Sequence, residues 1–158
     1  MGRPIETYLA DHLAGADAAL DLVHALSEEH SGALAQFFQD LHTEIAEDRT
    51  QLEELMQRLG VERSRLRSAG ARLAEKFGRL KLTGDDQRGG AFRLLEALDT
   101  LQSGIEGKRA LWRALAAAAE TDPRLALVDY RLLAERAESQ RDRVDTVRLD
   151  AARAALAG

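Results

Sequence analysis

Residues 34–59 read LAQFFQDLHTEIAEDRTQLEELMQRL, with apolar side chains at Leu34, Phe38, Leu41, Ile45, Leu52, Leu55 and Leu59. Steps of four and three put these residues on one stripe of an α-helix, the stripe that faces partners in a bundle. The stretch before it repeats the pattern, with Ile5, Leu9, Ala16, Ala19, Val23 and Leu26 in line and His30 at the end. One ionisable residue interrupts each stripe near its middle, His12 in the first and Asp48 in the second. A chain reversal between His30 and Ser31 leaves the two about equally far from the bend. Antiparallel helices then bring them to one level, and a buried imidazole beside a buried carboxylate is the expectation.

Working outward, punctuation marks the other elements. Pro4 suits a first helical turn, where a missing N–H costs nothing, so a helix is predicted over 4–30. Ser31 and Gly32 form the break and cap, and a second helix over 32–59 ends where Gly60 can adopt the left-handed conformation. A third, amphipathic helix over 63–82 carries Leu66, Ala69, Leu73, Phe77 and Leu80 on one face, and residues 83–90 read as a loop. A fourth runs over 91–119 with Leu94, Leu98, Leu101, Ile105, Trp112 and Leu115 in register. Asp122 and Pro123 make a cap and first-turn pair that opens a fifth helix, 123–156. No stretch alternates as a strand does.

Long helices joined by short connections pack lengthwise as antiparallel neighbours. The expectation is therefore an all-α, up-and-down bundle of four or five helices, one domain over 1–158. The third helix can be a bundle member or a crossover between two helical hairpins.

Composition narrows the function classes. The 158 residues are 45% hydrophobic and 31% charged, ordinary for a globular chain. Without cysteine there is no disulfide framework, thiolate nucleophile or sulfur-ligated metal. No apolar run has signal-peptide or membrane-span length, so a cytoplasmic protein with no membrane partner is the simplest reading. No serine stands in a nucleophile-elbow context, and the Gly107-Lys108 pair lacks the spacing and leading strand of a P-loop.

The arrangement as a whole, with Tyr8-Leu9-Ala10-Asp11-His12-Leu13 on the first helix and Glu44-Ile45-Ala46-Glu47-Asp48 on the second, resembles small bacterial proteins of the ferritin-like superfamily. That resemblance implies two helical hairpins linked by a long connection, and in metal-binding members a glutamate on each of two helices plus Glu-x-x-His on the others. This chain has no Glu-x-x-His; the nearest stretch is Asp21-Leu22-Val23-His24. A metal reading therefore rests on His12, Glu44 and Asp48, a nitrogen and two carboxylates that suit Fe, Mn or Zn, with Gln140 orienting a ligand from the fifth helix. Against it stands a purely structural His12–Asp48 pair with no cofactor, each satisfying the other. His30 reads as a helix-end cation, His42 as a solvated side chain.

Lys108 is the other interior anomaly, four before Trp112 and three after Ile105. Its ammonium must reach water or meet a carboxylate, since an unpaired buried charge costs several kcal/mol. Gly104 and Gly107 beside it imply a close helix contact or a local deformation, and the functional alternative is a small-ligand pocket with Lys108 as anion partner. Between Arg58 and Arg93 basic residues outnumber acids ten to four in a chain of net charge −5. Arg63, Arg65, Arg67, Arg72, Lys76 and Arg79 offer a face for a polyanion or an acidic partner. Nucleic acid is disfavoured by the acidic remainder and by the lack of aromatic interleaving.

Taken together, these residues describe a non-catalytic ferritin-like interaction or scaffold protein, whose partner is another protein or a second copy. Metal binding at His12, Glu44 and Asp48 is the alternative, and polyanion binding through 63–82 the second.

Overall fold

The computed structural model describes residues 3–62 and 90–158. These form α1 (Pro4–Glu29), α2 (Gly32–Arg58), α3 (Ala91–Ala119), a 3-10 turn (Pro123–Leu125) and α4 (Tyr130–Leu156). Among the described residues there is no strand, and the all-α bundle read from the stripes is what is observed. The predicted third helix, with Arg63, Arg65, Arg67, Arg72, Lys76 and Arg79, lies outside the described residues.

Two antiparallel hairpins make the bundle, α1 against α2 and α3 against α4, and α1 also touches α3. Cross-links fix the directions. Arg3 at the start of α1 donates to Leu59 O at the end of α2 (3.5 Å), whereas Arg93 at the start of α3 donates to Glu29 at the end of α1 (2.6 Å). So α2 and α3 run parallel, and the chain leaves α2 at one end of the bundle and enters α3 at the other. With α2 and α3 at 27 and 29 residues, those ends are separated by about 40 Å of helix.

Local chemistry explains the boundaries. Gly60 takes φ 68°, Gly60 N–H donates to Gln57 O and Val61 N–H to Met56 O, a Schellman closure that stops α2 at the expected place. Ser31 occupies the N-cap of α2, but its side chain makes no capping bond. The fifth predicted helix is divided. Asp122 caps only the 3-10 turn, and Asp129 accepts from Leu132 N–H (3.1 Å) to start α4 at Tyr130. The break is held by Leu125, which is buried, and by the Tyr130 hydroxyl, which donates to Leu125 O (2.8 Å).

The core is split in two. One apolar cluster gathers Leu9 and Leu13, Leu52 and Leu55, Leu111, Trp112 and Leu115, and Tyr130 and Leu133 around the end where α1 begins. The other gathers Val23 and Leu26, Phe38 and Leu41, Leu98 and Leu101, and Val144 at the opposite end. Between them lies a polar layer, which Asp48 and Gln140 enter at 1% and 0% exposure.

Candidate functional site

The polar layer is built from side chains of three helices, α2, α3 and α4. Lys108 Nζ on α3 donates to Asp48 Oδ2 on α2 (2.6 Å) and to Gln140 Oε1 on α4 (2.5 Å). Gln140 Nε2 in turn donates to Asp48 Oδ2 and to Glu44 Oε2, each at 3.2 Å. The amide is a neutral relay, its carbonyl turned to the ammonium and its NH2 turned to two carboxylates; a charge of either sign there would repel one neighbour. Glu44 is closed off by a bidentate fork from Arg143 (3.0 and 2.6 Å). Arg136 bridges α4 to Glu47 (2.9 Å) and stands 3.5 Å from Asp48 Oδ1, which has no hydrogen bond among the described residues.

Burial and pairing act in opposite senses on these groups. The Arg143 fork holds the Glu44 carboxyl below its ordinary range. Removal from water pushes the Lys108 ammonium down, with the attraction of Asp48 opposing.

Of the residues singled out from sequence, Asp48, Glu44, Lys108 and Gln140 form one connected network. His12 is apart from it. The imidazole stacks edge-on to Tyr8 (4.7 Å between centroids), and among the described residues the partner of Asp48 is Lys108 rather than His12. His12 and Asp48 both line one cavity. Among the described residues no three His, Cys, Asp or Glu side chains converge closely enough to hold a metal ion. His30 Nδ1–H donates to Leu26 O (2.8 Å), the helix-end role expected of it. His42 meets His24 edge-on at 6.2 Å instead of standing wholly in solvent.

Burial lowers the His12 pKa below 6.5, against the opposing pull of Asp11. A base whose folded pKa is depressed contributes stability that is complete above about pH 6.5 and lost as pH falls through the folded value. His12→Gln should therefore flatten the decline in unfolding free energy between about pH 6.5 and pH 5. Urea titrations of both proteins across that interval check it; parallel declines would show that His12 is not the group responsible.

The cavity was not visible as such in the sequence. It measures about 600 Å³ and opens between α1, α2 and α3 beside Lys108. Gly15 on α1 and Gly104 and Gly107 on α3 line it, and a Cβ built on any of the three would meet no atom within 4 Å. The glycines thus leave space and do not admit a close helix, one of the two alternatives that the sequence offered. In a helix interior each costs about 1 kcal/mol relative to alanine. Gly104→Ala and Gly107→Ala should each raise stability by about 0.5–1 kcal/mol, read as a higher urea midpoint at unchanged slope. A loss of stability would mean that the helix needs glycine there.

No family model, curated protein or solved structure matches this chain.

Proposed function

We propose that the chain is a non-catalytic, cytoplasmic helical-bundle interaction module of ferritin-like architecture, whose interior charges tie the two hairpins in register. The observation that carries this reading is that the interior acids already have protein cations. Asp48 is held by Lys108 and Glu44 by Arg143, so each carboxylate is already balanced by a protein cation. A buried ion network of this kind is a device for choosing one register over its neighbours. The parallel course of α2 and α3 supports the ferritin-like element of the reading, because that superfamily's long connection between hairpins has the same effect. With the interior committed, recognition falls to the surface, where Leu127 and Leu132 stand 75% and 52% exposed around the break before α4. The partner is another protein or a second copy of the chain.

Elemental analysis of protein purified without chelator tests the assignment. The expected result is metal far below one equivalent, unchanged in His12→Ala. Stoichiometric iron, manganese or zinc that His12→Ala removes would replace the interaction reading with a metal site at His12, Glu44 and Asp48.

A further inference from the structure

The cavity beside the polar layer combines three features. Its wall is mostly apolar, formed by residues such as Ala16, Ile45, Leu52, Leu101 and Ile105. Its volume of about 600 Å³ falls within the roughly 300–1,000 Å³ of small-molecule sites, and the core of a bundle is a usual place for one. Two of its lining residues carry donors that lack acceptors among the described residues. The Trp112 indole N–H is buried, at 1% exposure, and has no hydrogen-bond partner among the described residues. Lys108 Nζ has three protons, of which two are engaged by Asp48 and Gln140.

We infer that this cavity binds an uncharged, largely apolar small molecule bearing a hydrogen-bond-accepting oxygen, such as a ketone. The acceptor is required because the unmet groups are donors, and a buried donor without an acceptor is costly. The absence of ligand charge follows from the lining. Lys108 is already neutralised by Asp48 at 2.6 Å. Arg49 is held by Asp17 and Glu53, and Asp11 and Asp99 also line the cavity. A carboxylate would meet no spare cation among the described lining residues. This departs from the sequence expectation of Lys108 as an anion partner, and it is independent of the interaction reading, since a module with no ligand would keep its register all the same.

Three matched probes test it: benzophenone, its hydrocarbon analogue diphenylmethane, and the carboxylate diphenylacetate. Calorimetry on the full chain should show saturable one-to-one binding of benzophenone. Diphenylmethane should bind about three- to tenfold more weakly, the worth of one net hydrogen bond, and diphenylacetate more weakly still. Photo-cross-linking of bound benzophenone should map to α1, α2 and α3 around Lys108. Gly107→Leu and, separately, Gly104→Leu fill the space from a position where leucine also favours the helix, so both should fold and lose benzophenone binding. Trp112→Phe should bring the ketone and hydrocarbon closer in affinity. The inference is overturned by the absence of saturable benzophenone binding, by cross-links elsewhere, by binding that survives both leucine variants, or by tightest binding of diphenylacetate.

Discussion

Lys108→Met is expected to cost about 3 kcal/mol or more, the lower part of the roughly 3–5 kcal/mol range for removing one partner of a buried ion pair. Asp48 is 1% exposed, and among the described residues the Lys108 ammonium is the cation that donates a hydrogen bond to it, with Arg136 standing farther off. After the substitution Asp48 would keep Gln140 Nε2–H at 3.2 Å and Arg136 at 3.5 Å, which softens the loss without cancelling it. Gln140 Oε1 would lose the donor it has among the described residues, adding an unmet acceptor to an unmet charge. In a chain of this size the loss corresponds to a fall in Tm of roughly 6–12 °C. Adding Asp48→Leu should recover at least half of it, because apolar replacement of both partners removes the desolvation cost together with the attraction. The double-mutant cycle is the decisive measurement. Additive losses would mean that the two residues do not sense each other, and the register-setting role given to the pair would fall with them.

The sequence made α1, α2 and α3 legible nearly to the residue, because Pro4, Gly60 and the stripe spacing are local signals that tertiary packing does not override. The break before α4 was harder. Asp122 and Asp129 are both good caps, and choosing between them depends on Tyr130 reaching back to Leu125, a contact between residues whose burial is set by α3. The site was half legible. Asp48, Gln140 and Lys108 each stood out as polar residues on apolar stripes, and Lys108 was expected to reach water or meet a carboxylate. What could not be read was which one. Within a hairpin the register follows from counting back from a tight turn, so His12 and Asp48 could be placed at one level. Between hairpins it depends on the connection from α2 to α3, and the tie of Lys108 to Asp48 crosses that boundary. The cavity was invisible for a related reason. Gly104 and Gly107 mark either a close approach or an empty space, and only the separation of α1 from α3 decides between them.

Trp112 is where the apolar end of the core meets that empty space, and truncating it should be among the most damaging single changes. Its ring is 1% exposed, stacks on Tyr130 at 6.3 Å between centroids and packs in the cluster that holds the ends of α1, α2 and α3 together. Trp112→Ala is expected to cost about 3–5 kcal/mol, since the new void would merge with a cavity already of about 600 Å³ and the walls have little to collapse onto. Trp112→Phe separates the ring from its N–H. The indole nitrogen has no acceptor among the described residues, and an unmet buried donor carries a penalty of about 1–3 kcal/mol, so phenylalanine trades lost contact area against relief of that penalty. The net change should stay within about 1 kcal/mol. Chemical denaturation followed by circular dichroism measures both variants without relying on the tryptophan. Losses of similar size in the two would mean that the indole nitrogen is well accommodated, which removes one of the two donors on which the ketone site depends. A small loss in Trp112→Ala would mean that the ring does not anchor this end of the bundle at all.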